Sequence, residues 1–73
     1  MFNVKEGEKM RVNGKDFSIE GLSTITSLLN KLNISEEKVV VELNKEIFLK
    51  EDYSKINLKE DDTVEVISFV GGG

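Results

Sequence analysis

The 73-residue sequence predicts an α+β fold, a mixed sheet of four to five strands with one main helix packed on one face. Three observations predict it. An Asn13-Gly14 pair separates two short alternating runs, a single helical apolar stripe follows, and two later segments are dense in β-branched residues. A sheet face and a helix stripe each need an apolar partner, and packing one on the other satisfies both.

The first pair of strands is written around the turn. Both central residues of a type I′ turn need positive φ, which Asn-Gly tolerates. Met10 and Val12 share one face of the outgoing strand, and Phe17 and Ile19 share one face of the return. Gly21 punctuates the exit. In "STITSLLNKLN", Ile25, Leu28, Leu29 and Leu32 fall at i, i+3, i+4 and i+7, one side of a helix of about ten residues. Ser23 or Thr24 caps its start, and Asn33 suits the left-handed position at its end. A helix so short needs a sheet to pack on.

"KVVVELNKEIFL" places Val39, Val41 and Leu43 on one face and Val40 and Glu42 on the other. Asn44-Lys45 falls where a two-residue turn belongs, although positive φ is costly for lysine. Ile47 and Leu49 continue on the return strand. "KEDYSKINL" is irregular, with Tyr53, Ile56 and Leu58 as apolar plugs under a loop. "DTVEVISFV" is a strand by its β-branched content. Val64 and Val66 point one way; Glu65, Ile67 and Phe69 point the other. This order is the β-grasp (ubiquitin-like) pattern, with the last strand central and its end projecting from the body. We assign residues 10–70 to that domain, 1–9 to an N-terminal extension or mobile arm, and 71–73 to a flexible glycine tail.

Composition narrows the function. The chain has no cysteine and no histidine, so it lacks thiolate ligands, the usual general base and the commonest metal ligand. Its formal net charge of −4 argues against nucleic acid and favours a basic surface on a protein partner. No apolar run approaches a membrane span, and a cytoplasmic location is expected. The densest acidic run, Glu60-Asp61-Asp62, lacks the spacing of a calcium loop and reads as a solvated turn before a strand. No metal site and no convergent catalytic set is expected. Three of the six glycines stand at Gly71, Gly72 and Gly73, where they add nothing to packing. Either they are a frayed end or the carboxylate of Gly73 is the working group.

The residues "MRVNGK", "VVVELN" and above all "DTVEVISFVGGG" resemble the ThiS family, the sulfur carriers of thiamine thiazole synthesis, from Met10 to Gly73. Two turn positions depart from the family's habit. Lys45 stands where a glycine is frequent, and Asp61-Asp62 stands where Gly-Asp is common.

The resemblance implies a carrier, not an enzyme, that binds no cofactor. A ThiF-like adenylyltransferase would use ATP to convert the Gly73 carboxylate into an acyl-adenylate. Sulfur from an external donor would then displace AMP and leave a thiocarboxylate for a ThiG-like thiazole synthase. Free, the carrier would be a monomer. Three extended residues span only about 10 Å, so Val70, with Phe69 next in line, would also have to leave the body to reach a buried ATP site. Glycine at 71–73 permits close backbone approach on every side.

Ile67, Phe69 and Val70, joined by Val40 from the neighbouring strand, form the expected docking surface beside the tail. The plainer alternative is that they are core or scattered surface apolars. Rival functions are the small subunit of molybdopterin synthase, a ubiquitin-like modifier, and a passive β-grasp binding module.

Overall fold

A computed structural model describes residues 9–69. Five strands form one sheet: β1 (Lys9–Val12), β2 (Lys15–Ser18), β3 (Val39–Leu43), β4 (Glu46–Phe48) and β5 (Thr63–Ser68). Their spatial order is β2-β1-β5-β3-β4. The last strand is therefore central, parallel to β1 and antiparallel to β3. One helix, α1 (Ile25–Lys31), packs on one face, and two 3₁₀ turns span Glu36–Lys38 and Lys50–Asp52. β1 begins at Lys9, the last of the nine front residues.

The core is the helix stripe against the inward-facing strand residues. Ile25, Leu28 and Leu29 bury completely against Met10, Val12, Val39, Val41, Leu43 and Val64. Phe17, Ile19, Leu32, Ile56, Leu58 and Val66 pack around that centre, half-buried. Each fully buried aliphatic side chain contributes about 1.5–3 kcal/mol, so α1 is stable here although isolated helices of its length are not.

The helix is shorter than the expected ten residues, at seven. Thr24 caps it: its Oγ1 accepts from Ser27 N–H, while Ser27 Oγ accepts from Thr24 N–H. Helix starts leave N–H groups without internal partners, and the irregular loop before β5 supplies acceptors. Ile25 N–H donates to the Ile56 carbonyl at 3.2 Å and Thr26 N–H to the Tyr53 carbonyl at 3.3 Å. The loop is thus fastened to the helix it covers. Tyr53 is its main plug, almost fully buried, with its hydroxyl donating to the Val39 carbonyl at 3.3 Å. Burial pushes the Tyr53 phenol above its ordinary pKa.

Both hairpins turn through the left-handed region. Asn13 and Gly14 have φ of 52° and 84°, Asn44 and Lys45 of 51° and 73°, and Asn33 closes α1 at φ 61°. Asp61 before β5 has φ 70°. Lys45 and Asp61 therefore hold the conformation glycine adopts most cheaply, at a cost on the order of 1 kcal/mol each. The left-handed strain outweighs glycine's extra unfolded-state entropy. Lys45→Gly and Asp61→Gly should each raise stability by about 0.5–1 kcal/mol, read as a higher urea midpoint at unchanged slope.

The acidic run before β5 is the expected turn, with Glu60 and Asp61 exposed, but its last member is not solvated. Asp62 is 3% exposed. Its carboxylate accepts from Lys59 N–H at 2.8 Å and from Asn44 Nδ2 at 3.0 Å. Hydrogen-bond partners from two separate turns offset its desolvation.

Candidate functional site

β5 enters the sheet at Thr63 and leaves it toward the chain's C-terminal end, with β1 and β3 on either side. Pairing continues past the strand's last residue, because Phe69 N–H donates to the Lys38 carbonyl at 3.1 Å. The backbone of Phe69 is thereby tied to the residue just before β3. Val70, Gly71, Gly72 and Gly73 lie outside the described residues.

Helix α1 covers one face of the sheet. The other face carries the alternate residues of β5 and β3. Register places Val40 directly opposite Ile67 and Glu42 directly opposite Glu65. Ile67 is 46% exposed and Phe69 59%, while Val40 is half-buried between its neighbours. The sequence thus led to three apolar residues that the fold brings together. Two more were not assigned to the site: Ile47, opposite Glu42 on β4, is 55% exposed, and Leu49 is 57% exposed. Their signal was the alternation Ile47-Phe48-Leu49, in which Phe48 takes the core side and the flanking residues must face out.

Where β5 ends, a depression of about 360 Å³ opens between the two 3₁₀ turns. Val39, Val40, Phe48, Leu49, Tyr53 and Phe69 form its apolar lining, and Glu36, Glu37 and Glu51 its acidic rim. Lys50 Nζ meets Glu37 Oε2 at 3.3 Å across the two turns, and Thr26 Oγ1 donates to Glu36 Oε2 at 2.9 Å. The exit of the central strand is therefore an apolar surface with an acidic margin. Apolar side chains gathered on an open sheet face mark a surface suited to a protein partner.

Among the described residues, no group of three or more His, Cys, Asp or Glu is placed to hold a metal ion. No helix of the described residues is long and apolar enough to cross a membrane.

Comparison with known proteins places these features in a family. A family model described as ThiS family matches residues 10–73. The sulfur carrier protein ThiS of Bacillus subtilis is 40% identical over 65 residues, covering 88% of this chain and 98% of that protein. A thiazole synthase of Magnetococcus marinus is also 40% identical over 65 residues, covering 89% of this chain. The chain spans only 20% of that synthase's length, and the same share of a thiazole synthase of Paramagnetospirillum magneticum that is 34% identical. The crystal structure of the thiamine biosynthesis protein ThiS of Geobacter metallireducens superposes with a TM-score of 0.73 at 37% identity. That superposition covers 89% of this chain and 99% of the solved one.

Proposed function

The chain belongs to the ThiS family, and from that premise we propose that it carries sulfur for thiamine biosynthesis on the carboxylate of Gly73. The observation that carries the proposal is the family match, which runs through Gly71-Gly72-Gly73. The fold supports it, since a central strand held on both sides is a firm base from which to present a terminus.

The chemistry required of the chain is small. A carboxylate is a poor acyl donor, because its charge and resonance discourage attack at carbon. Adenylation by an ATP-dependent partner of the ThiF type would install AMP as a leaving group, with release of pyrophosphate. The outer sulfur of a persulfide would displace AMP to give an acyl disulfide. A thiol reductant would then cleave its S–S bond, itself becoming a disulfide, to leave a thiocarboxylate that passes its sulfur to thiazole synthase. The carrier contributes its terminus, a tail without side chains, and a docking face. It is a substrate of the activating enzyme, not a catalyst.

The synthase as partner has separate support. In the relatives from Magnetococcus and Paramagnetospirillum, a segment like this chain occupies about one fifth of a thiazole synthase. Two activities joined in one polypeptide elsewhere are natural partners when they occur as separate chains. Val40, Ile67 and Phe69, extended by Ile47 and Leu49, are the surface we assign to docking. Val70 continues that assignment toward the tail.

Intact mass spectrometry tests the proposal. The protein is incubated with ATP, a ThiF-type adenylyltransferase and a sulfur donor. The expected result is a mass gain matching exchange of one oxygen for one sulfur, mapped to Gly73. An unchanged mass, with the adenylyltransferase shown to be active on its own carrier, would overturn it.

A further inference from the structure

On the open face, β3 and β5 place Glu42 and Glu65 directly opposite one another. Directly opposed residues have Cβ atoms about 4.5–5.5 Å apart, and like charges so placed destabilise a sheet. Neither glutamate makes an ion pair with another described residue. Lys45 lines the same small depression as both without closing on either. Arg11, on β1 opposite Thr63, is engaged with Asp16 at 3.6 Å. Among the described residues the two like charges therefore face each other across the central strands with no cation in ion-pairing contact.

The position of the pair gives that repulsion a purpose. Two residues further along the strands, about 7 Å at the ordinary rise per residue, Val40 and Ile67 form the next opposed pair on the same face. Ile47 adjoins Glu42 from β4. Two carboxylates are thus flanked by exposed apolar side chains on a flat, open surface. We propose that Glu42 and Glu65 together receive one basic side chain of a partner protein, an arginine or lysine set beside an apolar residue that covers Ile67 and Val40. An arginine fits best, because its planar fork of donors can bridge two carboxylates. The inference rests on the docking reading above and adds the chemistry that the partner must present. Desolvation by the surrounding apolar contact strengthens the charge pairing, and the repulsion present in the free carrier is relieved on binding.

The test uses the thiazole synthase of the same organism as the probe and the full-length carrier. Binding is measured at several salt concentrations, and folding stability is measured by urea titration. The double variant Glu42→Gln, Glu65→Gln should bind about tenfold more weakly, with a flatter salt dependence, while its urea midpoint stays the same or rises. Ile67→Ser should weaken binding and leave the salt dependence as in the parent. A double glutamine variant that binds as tightly as the parent, with the same salt dependence, would overturn the proposal and leave the docking reading standing. Absence of any binding by the parent would overturn the docking reading itself.

Discussion

A single residue added after Gly73 is expected to abolish sulfur loading while leaving the fold unchanged. The addition moves the free carboxylate away from the position at which the proposed carrier is adenylated. It also replaces the reacting carboxylate of Gly73 by an amide, which cannot form an acyl-adenylate. Deleting Gly72 and Gly73 should have the same outcome for another reason, because about 7 Å of extended chain is lost and Val70 is drawn toward the partner's channel. The effect should be all-or-none: no mass gain and no ATP–pyrophosphate exchange with the adenylyltransferase, against full exchange by the parent. Circular dichroism and the urea midpoint should not move, since the buried core of the described residues is built between Met10 and Val64. An extended chain that still gains sulfur would exclude the terminal carboxylate as the acceptor. A passive binding module would keep its affinity after the deletion, and that result would redirect the functional reading.

The second large effect is structural. Asp62→Ala should lower stability by about 2–4 kcal/mol, because Lys59 N–H and Asn44 Nδ2 lose a charged, buried acceptor together. Asn44 is also the residue that binds the entrance of β5. Its Oδ1 accepts from Thr63 N–H at 2.9 Å and its own N–H donates to the Thr63 carbonyl at 2.8 Å. Loosening Asp62 therefore loosens the middle hairpin and the central strand at once. For a domain of this size the loss corresponds to a fall in melting temperature on the order of 10–25 °C. Asp62→Asn should fall between, since it keeps one acceptor oxygen but turns an amide toward a donor. A melting temperature within a few degrees of the parent for Asp62→Ala would show that the network contributes little.

These two residues mark the boundary between what was legible in the chain and what was not. Local signals were sufficient for the elements. Asn13-Gly14 predicted a hairpin because both residues tolerate positive φ, and Ile25, Leu28, Leu29 and Leu32 predicted a helix because their spacing makes one stripe. The alternation Val39, Val41 and Leu43 chose the buried face of β3, and the same alternation put Ile67 and Phe69 on the open one. Even Lys45, an awkward residue for its turn, was recognisable as awkward, and its φ of 73° is the strain expected there.

Asp62 was misread for a physical reason. Three consecutive acidic residues have the composition of a solvated turn, and beside the local Lys59 N–H the buried Asp62 carboxylate depends on a donor from Asn44, 18 positions away. No local pattern announces a partner at that distance. Both ends of α1, by contrast, follow local signals, with Thr24 capping its start and Asn33 at φ 61° just past its end.

The sequence alone determined the β-grasp class, the core stripe, the family resemblance and the glycine tail, because each is set by residue type and short-range spacing. Tertiary structure decided which side chains share a surface. Only the register of β3 against β5 sets Glu42 opposite Glu65 and Val40 opposite Ile67, and only the placement of β4 brings Ile47 beside them. Cross-strand neighbours are fixed by pairing between segments distant in the chain, and a slip of one residue would turn every side chain to the other face.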